Sequence, residues 1–189
     1  PEKTKYGEID DFVKFRFEVI DHSNVNDSEV IMFRAFIDNI TDNYNASHNS
    51  IKYNGRAEKF YTYNEFERKI SLGFKVAAQS RHEMRPLWRK INFLAAQTAP
   101  GYTASGRITT PYTRLTVGDW FNRIPGIINS VNLTWEKDYV WEIKADKELD
   151  SEMQVLPHAL NVSVDFTPLH DFIPQNTVST QFIGAKRWI

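Results

Sequence analysis

The sequence predicts an α+β fold, a predominantly antiparallel β-sandwich or barrel with one flanking α-helix. Two observations carry this. Alternating apolar and polar residues recur on both sides of a single stretch of helical periodicity, in the order three strands, one helix, four shorter strands. The composition then supplies the packing material, with 41% hydrophobic and 14% aromatic residues including 13 Phe, 8 Tyr and 5 Trp. At 189 residues, burial is efficient enough for one domain, and residues 1–189 are read as a single unit.

The first strand is predicted over residues 12–20, where Val13, Phe15, Phe17 and Val19 alternate with Lys14, Arg16 and Glu18. Residues 21–29 are rich in Asp, Asn and Ser and predict a turn, so the following run, 30–40, pairs back as an antiparallel hairpin. Ile31, Phe33, Ala35 and Ile37 stand on one side of that run and Met32, Arg34 and Phe36 on the other, which suits a strand covered on both faces. Residues 41–63 break the pattern. A polar stretch there passes into one holding Tyr53, Phe60, Tyr61 and Tyr63, and it is expected to be a long functional loop. Alternation resumes over 66–78, with Phe66, Ile70, Leu72, Phe74 and Val76 set against Glu67, Lys69 and Lys75.

The helix is predicted from Arg81 to about Gln97, because Met84, Leu87, Trp88, Ile91, Leu94 and Ala95 share one face and Arg85, Arg89 and Lys90 the other. Ser80 and Glu83 have capping-box spacing, while Pro86 offers a second starting point at which its missing N–H costs nothing. Pro100, Gly101, Gly106 and Pro111 end it. Extended segments are expected at 112–118, 126–135, 138–144 and 158–167, with a charged connector at 146–152.

Function classes can then be excluded. Twenty-three basic against 24 acidic residues leave a formal charge of −1, so no bulk attraction to nucleic acid or to an acidic membrane is implied. Cysteine is absent, which removes disulfides and thiolate metal sites and suits assembly in a reducing cytoplasm. No apolar run approaches the roughly 20 residues of a membrane span, and the sequence reads as soluble. It begins at Pro1 rather than Met, so residues upstream are expected to have been removed.

His22, His48, His82, His158 and His170 are scattered, without metal-binding spacing, and His170 beside Asp171 would point to opposite faces of a strand. No Gly-x-Ser-x-Gly elbow or phosphate-binding glycine loop is present, and Asp10, Asp11, Glu148 and Asp150 sit in polar connectors. No catalytic residue, metal ligand or cofactor is predicted. The remaining candidates are aromatic: Tyr44, Tyr53, Phe60, Tyr61, Tyr63, Trp120, Phe121 and Trp188. They suit a subunit interface or a sugar-binding platform, and core packing for Trp120 and Phe121.

Residues 156–170, Leu-Pro-His-Ala-Leu-Asn-Val-Ser-Val-Asp-Phe-Thr-Pro-Leu-His, followed by Phe172-Ile173-Pro174, resemble the C-terminal part of the tail-tube cap or initiator proteins of T4-like contractile phage baseplates. The segment 115–121 leading to Ile127, Ile128 and 133–135 is similar to the same family, as is the helix around Pro86-Leu87 and 91–94. Pro157, Phe166, Pro168 and Pro174 mark the motif segment. The resemblance implies a tail-tube fold whose sheets join around a sixfold ring, a hexamer whose six copies close the barrel, with residues 39–65 as the loop that stacks ring on ring through Tyr44, Tyr53, Phe60, Tyr61 and Tyr63. It implies a virion structural protein that is not an enzyme, assembled in the host cytoplasm. Its implied partners are copies of itself, the baseplate hub, tube rings and sheath, with DNA passing the lumen unbound and no membrane. A sugar-binding β-sandwich is the alternative, and residues 175–189 match no part of the family.

Overall fold

The computed structural model describes residues 13–20, 28–103, 105–143 and 155–184. Seven strands form one antiparallel sheet, in the order β2-β1-β7-β8-β9-β4-β3. They are β1 (Phe15–Ile20), β2 (Ser28–Met32), β3 (Phe36–Ile51), β4 (Phe60–Ala77), β7 (Thr113–Val117), β8 (Phe121–Thr134) and β9 (Ala159–Pro168). The helix α1 (Arg81–Ala96) follows β4, and a small two-stranded sheet, β5 (Gly101–Tyr102) with β6 (Ile108–Thr109), follows the helix. The predicted class, α+β with sandwich character, is the observed one.

The sheet is folded over on itself, and the sequence order shows why. β2 and β3 occupy its two opposite edges, yet only Phe33, Arg34 and Ala35 separate them. The edges of a flat seven-stranded sheet would lie about 29 Å apart at 4.8 Å per strand, and four Cα steps reach only about 14 Å. Phe15 on β1 and Phe74 on β4, four strands apart in the sheet, accordingly meet edge to face at 4.8 Å. The single strand predicted over 30–40 is therefore two strands, broken where the chain crosses from one layer to the other.

The inward residues follow the predicted alternation: Phe15 and Phe17; Ile70, Leu72, Phe74 and Val76; Leu115 and Val117; Leu160, Val162, Val164 and Phe166 are all buried. The helix closes the core with Ile91 and Leu94, while Leu87, Trp88 and Phe93 pack against it. It is anchored at its middle, by Lys90 Nζ donating to the Met32 carbonyl (3.0 Å) and Trp88 Nε1 to the Pro157 carbonyl (3.3 Å). The helix begins at Arg81, so Pro86 lies inside it, and Ser80 makes no side-chain cap bond. Glu83 instead accepts from the Gln79 N–H, one residue before the N-cap, at 2.9 Å, which is not the expected capping-box bond.

Other boundaries differ from expectation. Val13, predicted inward, is exposed, and Glu18, predicted outward, is buried between Arg16 and Arg123 at 3.1 Å from each Nε. Among the described residues, the predicted strand at 138–144 forms only an isolated bridge, Trp141 to Pro157. β8 begins earlier than predicted, at Phe121, after a turn in which Gly118 adopts φ +52°. Phe12, most of the first turn, His22, the acidic pairs at 10–11 and 148–150, the connector at 146–152 and Trp188 lie outside the described residues.

Candidate functional site

Residues 39–65 are not a loop. β3 and β4 pair from Phe36↔Lys75 to Ile51↔Phe60, with register shifts at Asp38 and at Asn64, forming a hairpin whose tip is residues 52–59. β9 accompanies β4 only from Ile70 to Ala77, so Phe60–Lys69 and Asn43–Ile51 have no further strand beside them. The hairpin thus projects as a two-stranded ribbon about 30 Å beyond the sheet, at roughly 3.4 Å per residue. The sequence signal missed was the pairing itself. Asn, Ser and His have low strand propensity and offered no alternation of hydrophobicity, but two long partners in register hold them extended.

At the ribbon's base a buried polar hub joins it to the body. Arg68, 3% exposed, grips Asp42 through Nε to Oδ1 (2.9 Å) and Nη2 to Oδ2 (2.7 Å), and Nη2 also donates to the Phe182 carbonyl at 3.2 Å. Its guanidinium lies 4.9 Å from the Tyr44 ring centroid, 5.8 Å from Phe121 and 5.7 Å from Phe182. Tyr44 donates its hydroxyl to Asp42 at 2.8 Å. Burial, and then this bond, raise the Tyr44 phenol well above its usual value, against the opposing pull of Arg68. Phe182, in the segment that matched nothing in the family, packs against Tyr44 (5.4 Å), Phe66 (5.6 Å), His170 (5.5 Å) and Phe172 (5.6 Å). Tyr44 is thus a residue of the hinge between ribbon and body.

Further out, the aromatic candidates divide between the two faces. Between Ser47 and His48 the register skips Asn64, a β-bulge. Asn64 bonds with Ser47 and Asn49 on the face that continues Glu65 and Glu67. Past the bulge, Tyr63 and Tyr61 pair with His48 and Ser50 on the core-side face, whereas Phe60 pairs with Ile51 on the other. Plain alternation along β4 would have put Tyr61 and Tyr63 on the polar face. Tyr53 stacks edge to face on Phe60 at 5.5 Å, with Arg56 over Phe60 at 5.4 Å, and His48 meets Tyr63 at 5.2 Å. Tyr53, Phe60, Tyr61 and Tyr63 are each more than two-fifths exposed.

The strands β8-β9-β4-β3 present an outer face of small polar groups, among them Asn132, Ser163, Thr167, Ser71, Thr41 and Asn43. Asp165 ties three of these strands together, accepting from Ser71 (2.8 Å) and Ser130 (2.7 Å). Those two bonds hold its carboxyl below the usual aspartate value. The formal charges on this face include Glu65, Glu67, Asp165 and Glu136, which accepts from Asn161, against Lys69 and Lys75. Both lateral edges of the four-stranded unit are open among the described residues: β3 pairs only with β4, and β7 leaves β8 after Gly126, so Ile127–Thr134 is paired on one side alone.

Of the remaining candidates, Phe121 is fully buried and Trp120 is 41% exposed. Pro157, Phe166 and Pro168 are buried, and Pro174 is exposed. His158, taken from the sequence as isolated, lies 2.8 Å from buried Glu142, which also pairs with Arg81 at 3.0 Å. That ion-pair group ties residues 140–143 to the helix start. Among the described residues no three His, Asp or Glu side chains gather as a metal site would require.

No protein-family model matches the chain, and no curated protein matches it. Among solved structures it is similar to a chain of the tail of an empty gene transfer agent particle with C6 symmetry, at 11% identity over 87% of this chain and 96% of that one, TM-score 0.35. It is also similar to a chain of the virion of a native gene transfer agent particle, at 10% identity over 87% of this chain and 100% of that one, TM-score 0.34.

Proposed function

We propose that the chain is a structural subunit of a phage contractile-tail baseplate, closing with copies of itself into a sixfold ring that caps the hub and initiates or joins the tail tube. The observation that carries this is the four-stranded unit β8-β9-β4-β3, open at both lateral edges. Its strands alternate in direction, so an even number of them places the β3 edge of one copy antiparallel to the β8 edge of the next. Repeating that contact extends one antiparallel sheet from copy to copy, and closure into a ring removes both exposed edges, which otherwise template aggregation. The outer polar face then lines the channel. With no excess of Lys or Arg, it would let DNA pass without holding it. The sixfold order and the baseplate position come from the family resemblance of residues 115–135 and 156–174.

The exposed aromatics favour this reading over sugar binding. His48 with Tyr63, Tyr53 with Phe60 and Trp135 with Trp141 meet at interplanar angles of 84°, 74° and 65°, so none of these pairs forms a flat platform. Light scattering and electron microscopy of the purified chain, alone and with baseplate partners, test the proposal. Sixfold rings are expected. A monomer under both conditions overturns it, and binding on a glycan array would then establish the alternative.

A further inference from the structure

We propose that Asn54, followed by Gly55 at the outermost turn of the hairpin, is a site of spontaneous deamidation, and that its conversion to aspartate or isoaspartate reduces the positive charge of the tip. The reaction needs neither a partner nor a ring, so it stands or falls apart from the function proposed above.

Asn54-Gly55 is the sole Asn-Gly step in the chain. The Arg56 N–H donates to the Tyr53 carbonyl at 3.3 Å, and Gly55 takes φ +86° while Asn54 keeps a negative φ, the pattern of a type II turn. Both central residues are exposed, and the space that a Gly55 Cβ would fill is open. Among the described residues the Gly55 N–H donates to no backbone carbonyl, so its nitrogen is held by no ladder.

Those features suit the chemistry. The Gly55 amide nitrogen gives up its proton and bonds to Asn54 Cγ, the Cγ–Nδ2 bond breaks, and Nδ2 leaves with that proton as ammonia. Glycine favours the closure because no Cβ crowds its nitrogen. Water then opens the five-membered imide at either carbonyl. One opening leaves aspartate; the other leaves isoaspartate, in which the main chain runs through Cγ and is longer by a methylene. Asn45 and Asn49 also precede small residues, Ala46 and Ser50, but they lie in β3, where Asn45 pairs with Glu67, Asn49 with Thr62, Ala46 with Phe66 and Ser50 with Tyr61. Asn49 Nδ2 is further engaged, donating to Asn64 Oδ1 at 3.3 Å. Pairing holds those steps extended, with the side chain and the following nitrogen kept apart.

The tip carries Lys52, Arg56 and Lys59 against Glu58. A new carboxylate between Lys52 and Arg56 cancels part of that surplus, and the isoaspartate form also lengthens a turn whose spacing is set by the Arg56 to Tyr53 bond.

The full-length chain, kept in mildly alkaline buffer and sampled over days, is digested with trypsin, which cuts after Lys52 and Arg56 and isolates residues 53–56. That fragment is expected to gain the mass of an amide-to-acid exchange and to separate into two forms, one of them methylated by an isoaspartate methyltransferase. Conversion of Asn54 should run severalfold or more ahead of Asn45 and Asn49 in the same sample. The aged intact chain should shift on ion exchange to the position of Asn54→Asp. An Asn54 that keeps its amide, or one that converts no faster than Asn45 and Asn49, overturns the site. Conversion without the shift to the Asn54→Asp position overturns the loss of tip charge.

Discussion

Arg68 shows how a charge can occupy a core position on an otherwise apolar strand. It sits at the inward place between Phe66 and Ile70, and the sequence pattern passes over it because a lone Arg at such a position ordinarily turns to solvent. Here Asp42, diagonally opposite on β3, neutralises it, and the Phe182 carbonyl with the Tyr44, Phe121 and Phe182 rings shares its desolvation. Removing one partner strands the other's charge: Arg68→Ala is expected to cost about 3–5 kcal/mol, while a paired apolar replacement of Arg68 and Asp42 costs much less. Urea unfolding of the three chains measures the difference. Asp165 gives a pH signature of its own. Because folding lowers its pKa, its contribution is complete above the unfolded aspartate value and is lost as pH falls through the lower folded one. Asp165→Asn should therefore flatten the acid limb of the stability profile below about pH 4, at a cost near neutrality of about 1–2 kcal/mol. Gly126 is required by closeness, since a Cβ there would collide with the Phe166 ring and the Thr167 carbonyl. Gly126→Ala should destabilise by about 1–3 kcal/mol in thermal denaturation.

At the scale of elements, the hairpin is the part least able to hold itself. An isolated two-stranded ribbon is marginal in water, and this one has no third strand beyond Ile70. Its base is instead fastened by the C-terminal segment, through Phe182 and the Arg68 bond to the Phe182 carbonyl, and by the Gly184 N–H to the Trp120 carbonyl at 3.4 Å. Phe182→Ala is expected to speed amide exchange in Asn43–Ile51 and Phe60–Lys69 at least severalfold while leaving β7, β8 and β9 protected. Equal loosening of the whole sheet would mean that Phe182 is simply core. The helix behaves otherwise: its apolar stripe was legible apart from Phe93, and Pro86 is tolerated because Ile91 and Leu94 are buried and Leu87 packs against the core whatever the local bond costs.

For the whole molecule, the folded-over sheet separates two kinds of surface. One side is packed by the helix and the second layer, and the other is a polar wall whose edges are open. If the wall lines a channel, its neutrality is a working property rather than an accident of composition. Replacing Asn43, Ser163 and Asn132 with Arg should produce assemblies that retain DNA in a salt-dependent way, where those of the native chain release it. Filter binding at two salt concentrations reads the change. Native assemblies that already retain DNA would argue against the channel.

Local patterning along the chain was enough for the fold class, the inward faces of β1, β4 and β9, most of the buried stripe of the helix and the aromatic richness of residues 53–63. Each of these is written in local periodicity, because backbone geometry repeats every two or 3.6 residues and burial follows that repeat. Tertiary structure alone decided that residues 39–65 pair as a ribbon, that one extra residue at Asn64 exchanges the faces of Tyr61 and Tyr63, and that Phe182 docks 114 residues away from Arg68. It also broke the second strand at Phe33–Ala35, since only the folding of the sheet upon itself brings its two edges within reach of so short a link. Such features depend on partners distant in the chain, and no local period records which partner a residue will meet.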